Sequence, residues 1–396
     1  MPLGSETVVG VVGAGAMGAG IAQLAAVRGH GVILSDQSGP AVERARESHV
    51  KALAREVERG RLTRDLADAA LGRIRYVAGR GSNLFDEYSA CGLVVEAVVE
   101  RFEVKREVFA ALERIVRDDA VLATNTSSLA VGAIAGSCLH PGRVVGIHFF
   151  NPAPVLRLVE IVPALATEPS IAASAKALMD AWGKTTVVAS DTPGFIVNRI
   201  ARPFYGESLR ILEEGIADCA TIDWAMREVA GFTMGPFELM DFIGNDVNYA
   251  VTSSIFEAMF FDARYRPALT QRRLVEAGRL GRKTKRGYYD YRDGAAPPEP
   301  RTDRKLGELV RDRVLAMLIN EAVDAVRLRV ATAADVEVAM TQGVNYPRGL
   351  LAWGDEIGAA TVCARIEALQ AEYGEDRYRA SPLLRQVARA GGRLNA

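Results

Sequence analysis

Residues 8–36 read VVGVVGAGAMGAGIAQLAAVRGHGVILSD. A short apolar run, 7–12, gives way to Gly13-Ala14-Gly15-Ala16-Met17-Gly18, and then to a small-residue helical stretch with Gly20, Ile21, Ala22, Leu24, Ala25 and Ala26. After Gly29-His30-Gly31 a second apolar run, 32–34, stops at Ser35-Asp36. Buried strand, glycine turn, helix and buried strand in this order make a βαβ unit. The three glycines have separate tasks: Gly13 makes a tight turn, Gly15 lets backbone approach a pyrophosphate, and Gly18 lets the helix pack closely on the strand. The helix opening at Ala16 and Met17 offers unpaired N–H groups and the positive end of its dipole to phosphate. A bare G-x-G-x-x-G also describes an ordinary glycine turn, but strand, helix and the acidic Asp36 supply the context of a dinucleotide site. A carboxylate at Asp36 accepts hydrogen bonds from a ribose 2′-hydroxyl and repels a 2′-phosphate, so the expected cofactor is NAD.

Beyond this unit, strand and helix signals keep alternating: strands at 93–99, 121–124, 144–149 and 158–162, and a helix at 104–116. That alternation specifies a mostly parallel sheet with helices on both faces, an α/β Rossmann-type domain. At Asp191-Thr192-Pro193-Gly194-Phe195 the pattern turns helical and stays so to about 277. A second break, Gly294-Ala295-Ala296-Pro297-Pro298-Glu299-Pro300, reads as a linker. The expected organisation is an NAD-binding domain at 1–190 followed by an all-α region of two modules, 191–293 and 301–396. Those modules repeat one another at a constant offset of 114 positions: Glu207 with Glu321, Ala217 with Ala331, Ala220 with Ala334, Ala225-Met226 with Ala339-Met340, Gly235 with Gly349, Asp241 with Asp355, and Ile243-Gly244 with Ile357-Gly358. Glycine, acidic and apolar positions coinciding in one register indicate duplication. Such a chain packs one copy against the other as a monomer with an internal pseudo-dimer, or adds a homodimer contact.

The charge balance, 48 basic against 49 acidic residues, contains no block of one sign, which argues against a nucleic-acid or membrane arm. Cys91, Cys138, Cys219 and Cys363 lie far apart without a C-x-x-C pair, so neither a metal site nor a redox dithiol is expected. Reduced thiols, the lack of a basic leader before the first strand and the lack of a long apolar run together point to a cytoplasmic protein.

His148 stands in Gly146-Ile147-His148-Phe149-Phe150-Asn151-Pro152, at the end of an apolar strand where such sheets bind ligands. Glu160 interrupts the apolar run Leu158-Val159-Glu160-Ile161-Val162, where an unpaired carboxylate is costly to bury. Taken singly, the histidine suits a satisfied core residue and the glutamate a local cap; together they suit an imidazole held by a carboxylate while its other nitrogen takes a proton from an alcohol. Asn125-Thr126-Ser127-Ser128 follows another strand and places amide and hydroxyl groups near the same edge, a spacing that equally fits a polar turn or helix cap. Asn198 lies in the apolar start of the helical region, either toward a cleft or satisfied by backbone.

These stretches, with VVEAVVE, NTSSL, HFFNPAP, LVEIV, DTPGFIVNR, GPFELMDFIG and GRKTKRGYYDY, resemble the 3-hydroxyacyl-CoA dehydrogenases from about Val8 to Tyr291, and GVNYPRGLLAWGDEIG resembles the second C-terminal module of longer bacterial members. The resemblance implies NAD-dependent oxidation of a 3-hydroxyacyl thioester of coenzyme A. It implies His148 as general base, Glu160 as its partner, and Ser127 and Asn198 as groups that position substrate. It also implies Glu100 and Lys105 near the nicotinamide half of the cofactor, with Asn125 close by; solvated surface charge is the other reading of that pair.

Lys51, Arg55 and Arg59 recur every four residues on one helix face between the second strand and Leu93. They suit either coenzyme A phosphates or a solvated face paired with Glu47, Glu56 and Glu58. The motifs leave the acyl group open, from 3-hydroxybutyryl to 3-hydroxyadipyl. Alternatives are a gulonate-type sugar-acid dehydrogenase, a non-catalytic relative that keeps the fold, and a multifunctional oxidation protein, the last disfavoured because no hydratase segment precedes the glycine loop.

Overall fold

The computed structural model of the chain describes residues 3–79 and 84–395. They form two compact units that divide between Phe195 and Ile196.

The first unit runs β1 Val9–Val12, α1 Ala16–Val27, β2 Val32–Asp36, α2 Gly39–Glu58, α3 Arg64–Gly72, β3 Ile74–Ala78, β4 Leu93–Glu96, α4 Phe102–Leu112, β5 Val121–Thr124, α5 Val131–Ala135, β6 Val144–Phe149, β7 Leu158–Pro163, α6 Pro169–Ala181 and β8 Thr185–Val188. One sheet holds all eight strands in the order β3-β2-β1-β4-β5-β6-β7-β8. Neighbours are parallel except β6 and β7, which are antiparallel. Every residue of β1, β4 and β5 is buried, as expected for strands covered by helices on both faces. The chain reverses direction across the sheet at β1 and β4, and the crevice at their carboxyl ends is where such folds bind ligands.

Two elements end earlier than their apolar patterns suggest. The strand expected over 93–99 stops at Glu96, because the Glu96 carboxylate accepts from Val98 N (2.8 Å) and bends the chain out of the sheet. The helix expected over 104–116 spans Phe102–Leu112, and the Glu113 carboxylate beyond it accepts from the backbone of Leu139 and His140.

The second unit is helical: α7 Val197–Ile200, α8 Arg202–Glu213, α9 Cys219–Trp224, α10 Pro236–Ile243, α11 Asn245–Ala258, α12 Leu269–Glu276, α13 Arg304–Arg327, α14 Ala333–Gly343, α15 Leu350–Ile357, α16 Ala359–Tyr373 and α17 Pro382–Ala390. The 114-residue offset holds at the level of elements. Helix α10 becomes α15, and the left-handed breaks at Gly244 (φ 106°) and Gly358 (φ 91°) are followed by α11 and α16. Only glycine adopts that backbone without strain, which is why both copies have it. Asp223 caps α10 through Phe237 N and Glu238 N (2.9 Å each), and its counterpart Glu337 caps α15 through Leu351 N (2.8 Å) and Ala352 N (3.1 Å).

The two helical segments are packed closely on one another. From Ile196 onward they share one unit, because each copy completes the other's buried charges. Glu207 accepts from Arg313 Nε and from the Tyr378 hydroxyl, both at 2.6 Å and both from the second copy. Glu321 accepts from Arg199 Nε and from the Tyr265 hydroxyl, both at 2.6 Å and both from the first. Arg313 stands 114 positions after Arg199, so the exchange is reciprocal, as across a two-fold interface between identical subunits.

Burial pushes the Asp223 carboxyl up to about 7, against the opposing hydrogen bonds from Tyr289, Phe237 and Glu238. The unfolded chain releases this proton near pH 4, so between about pH 4 and pH 7 the native state binds more protons. The contribution of this group to stability is therefore complete below about pH 4 and is lost as pH rises toward 7. In Asp223→Asn that slope is expected to flatten in urea unfolding followed across this range; an unchanged slope would exclude the site as its source.

Candidate active site

His148 and Glu160 are register partners on the antiparallel strands β6 and β7, which explains how residues 12 apart come face to face. His148 Nδ1 lies 2.6 Å from Glu160 Oε2. Glu160 is fully buried and His148 is 5% exposed. With the carboxylate on the Nδ1 side, the proton of the neutral ring sits on Nδ1 and Nε2 keeps a free lone pair. Nε2 has no hydrogen-bond partner among the described residues. Phe150 (ring centroids 4.6 Å away) and Phe195 (5.7 Å) flank the imidazole. Two of the other three histidines are satisfied core residues: His30 bonds Thr7 O and Trp182, and His49 bonds Tyr76 and Ala19 O. His140 is exposed.

The Asn125–Leu129 loop at the end of β5 is held from below. Glu100 Oε1 accepts from Thr126 Oγ1 (2.7 Å), Ser127 N (2.8 Å) and Ser128 N (3.1 Å). Buried Lys105 bridges Glu100 (3.1 Å) to buried Glu96 (2.7 Å), and Glu96 also accepts from Thr124 Oγ1 (2.8 Å). Burial alone would raise the Glu100 carboxyl; the Lys105 ammonium and the bonds from Thr126 and Ser127 outweigh it and hold it below the usual carboxylate range. Glu96 escaped the sequence reading, although a carboxylate closing an apolar strand is the same signal that singles out Glu160. Lys184 escaped it as well: its Nζ donates to Ala153 O (2.5 Å) and Leu156 O (2.7 Å), bracing the turn between β6 and β7, and burial lowers its pKa to about 8. Asn125 Oδ1 accepts from Phe149 N (2.9 Å), tying the loop to the strand that carries His148.

Asn198 lies in α7, half-buried, and its carbonyl accepts from Arg202 Nε (2.7 Å). Of the three basic residues expected on one helix face, Lys51 pairs with Glu47 (3.9 Å), Arg55 lies in the last turn of α2, and Arg59, one position past the helix, pairs with Glu56 (3.6 Å).

The glycine loop fits a dinucleotide. Gly13 has φ +105°, and a Cβ on Gly18 would stand 1.8 Å from Gly13 O, so helix and turn tolerate no side chain there. A Cβ on Gly15 would meet nothing within 4 Å, which leaves open space in front of the α1 N-terminus, a helix with no side-chain cap. Asp36 closes β2 with Oδ2 on Ala14 N and Oδ1 on Ser38 N, each at 2.8 Å. The Ala14 N–H is therefore engaged by Asp36 rather than offered to phosphate, while each carboxylate oxygen keeps a second lone pair for a ribose hydroxyl. No group of three His, Cys, Asp or Glu able to hold a metal ion occurs among the described residues.

Residues 8–192 match the family model described as 3-hydroxyacyl-CoA dehydrogenase, NAD binding domain, and residues 194–291 and 309–395 match that of the 3-hydroxyacyl-CoA dehydrogenase C-terminal domain. The chain belongs to the 3-hydroxyacyl-CoA dehydrogenase family. As a member it is an NAD-dependent oxidoreductase, and the C-terminal model matching twice agrees with the duplicated helices. It is 38% identical to the 3-hydroxyadipyl-CoA dehydrogenase of Escherichia coli strain K12, over 96% of this chain and 97% of that relative. It is 40% identical to the 3-hydroxybutyryl-CoA dehydrogenase of Bradyrhizobium diazoefficiens, over 73% of this chain and 96% of the relative. The crystal structure of 3-hydroxybutyryl-CoA dehydrogenase from Escherichia coli K12 superimposes with a TM-score of 0.90 at 36% identity, covering 98% of this chain and 99% of that one. No helix among the described residues is long and apolar enough to cross a membrane.

Proposed function

We propose that this 3-hydroxyacyl-CoA dehydrogenase removes the 3-hydroxyl proton with His148 Nε2 while Glu160 holds the ring in the required tautomer and stabilises the imidazolium that forms. The observation that carries this reading is the 2.6 Å cross-strand bond between buried Glu160 and His148 Nδ1. Ser127 and Asn198 position the reacting oxygen. Gly13, Gly15, Ala16, Met17, Gly18 and Asp36 hold the cofactor, and Glu100, Lys105 and Asn125 shape the loop beside its nicotinamide half. Bound NAD supplies the hydride acceptor for C3. Proton to His148 and hydride to NAD leave a 3-ketoacyl thioester. Arg55, which has no carboxylate partner among the described residues, and with it Lys51 and Arg59, are the cations proposed to meet a coenzyme A phosphate.

The favoured substrate is a 3-hydroxyadipyl thioester, on the strength of a relative of that name that matches over nearly all of both chains. A 3-hydroxybutyryl thioester is the second reading, since the solved structure superimposed over the whole chain carries that name. All four cysteines are free, in keeping with the reducing cytoplasm as its compartment. Steady-state NADH formation over thioesters of graded length, with and without a terminal carboxylate, tests the assignment. The adipyl member is expected to have the highest kcat/KM. Highest kcat/KM for the butyryl member would select the second reading, and turnover of gulonate but of no thioester would overturn both.

A further inference from the structure

The reciprocal pairing of Arg199 with Glu321 and Arg313 with Glu207 puts Arg199 and Arg313 in equivalent places in the two copies. Asp312 is therefore the second copy's counterpart of Asn198. It lies in a concavity of about 320 Å³ lined by Arg311, Arg348, Arg365, Leu315 and Trp353. Arg311 and Arg365 each approach Asp312 to 2.7 Å, one at each carboxylate oxygen. Arg348 pairs with Glu356 and sits 5.7 Å from the centre of the Trp353 ring.

Duplication does not account for these cations. The first copy has Val197, Met234 and Val251 where the second has Arg311, Arg348 and Arg365. Three guanidiniums line the concavity against two carboxylates, Asp312 between Arg311 and Arg365 and Glu356 beside Arg348, a local excess of one positive charge in a chain of net charge −1. Each guanidinium carries five N–H donors in a planar fork that matches phosphate oxygens, and the pairs with Asp312 and Glu356 leave most of those donors unused. The volume is at the small end of ligand pockets, suited to a phosphate-bearing head rather than an acyl chain.

We propose that this concavity is a second, non-catalytic site for a phosphate or pyrophosphate group, either free or carried on a nucleotide. The charge argument does not depend on the role given to His148, so either reading can fail alone.

The test is calorimetric titration of the full-length enzyme, with its glycine loop saturated by NAD, using inorganic pyrophosphate as one probe and adenosine 3′,5′-bisphosphate as the other. The expected result is one pyrophosphate site, weakened at least tenfold in Arg348→Gln/Arg365→Gln, with kcat for thioester oxidation unchanged. The single variant Arg348→Gln, which leaves the Asp312 pairs intact, is expected to fall between. A larger loss in the double variant for the nucleotide than for pyrophosphate identifies a nucleotide-borne phosphate; equal losses identify a free one. No binding by the parent, or equal pyrophosphate affinity in parent and double variant, would overturn the proposal.

Discussion

In a His148→Gln variant, kcat for oxidation of a 3-hydroxyacyl thioester is expected to fall about 10²- to 10⁴-fold, the range associated with loss of a positioned general base. Glutamine keeps a polar group of similar size between Phe150 and Phe195 but has no basic nitrogen to take the hydroxyl proton. KM and NAD affinity should stay within a few-fold, because the glycine loop and Asp36 are built on β1, α1 and β2 and do not touch this pair. A Glu160→Gln variant adds a second readout. Its amide no longer stabilises an imidazolium, so kcat should fall while substrate binding stays. Retention of parental kcat in His148→Gln, with NADH formation as the assay, would remove the proton acceptor from the scheme.

The largest stability effect is expected at the centre of the helical unit. Replacing Glu321 by Ala leaves Arg199 and Arg264 buried without the carboxylate that accepts from both, at 2.6 and 2.8 Å, and strands the Tyr265 hydroxyl. Breaking one side of such a buried network costs about 3–5 kcal/mol. Glu207→Ala should cost less, because Arg313 loses one partner in Glu207 but keeps both oxygens of Glu214 (2.6 and 2.9 Å). A control is the exposed i,i+4 pair Arg304–Glu308, whose loss should stay below about 1 kcal/mol. Denaturant unfolding of the three variants makes the comparison. Glu321→Ala behaving like the surface control would mean that the interlock between the copies contributes little to stability.

Both predictions rest on carboxylates that an apolar context makes conspicuous, yet they differ in how much of their pairing could be seen beforehand. Glu160 and His148 occupy consecutive strands, and two isolated polar residues in apolar runs invite pairing. Glu207 and Glu321 were visible as repeat partners, but nothing local tells that each bonds the other copy's arginine and tyrosine. Glu100 and Lys105 stood out through family resemblance as cofactor contacts, whereas their hydrogen bonds run to the Thr126–Ser128 loop and to Glu96. The acidic end of β4 passed unnoticed because it closed a strand that seemed to continue to Val99, a residue 62% exposed in the fold.

Read alone, the order of residues determined the βαβ opening, the glycine spacing and acidic closure of the NAD site, the change from alternating to helical architecture, and the duplication. All of these are consequences of short-range geometry: strand and helix periods, positive-φ turns, and a register kept without gaps through two copies. Only the tertiary structure decided where strands end, that β7 runs against β6 and so brings Glu160 onto His148, and that the helical copies exchange their buried partners. Those outcomes depend on which groups lose water together. A buried charge takes whatever opposite charge the packing places within about 3 Å, and that neighbour is chosen by the whole fold, often from more than a hundred residues away.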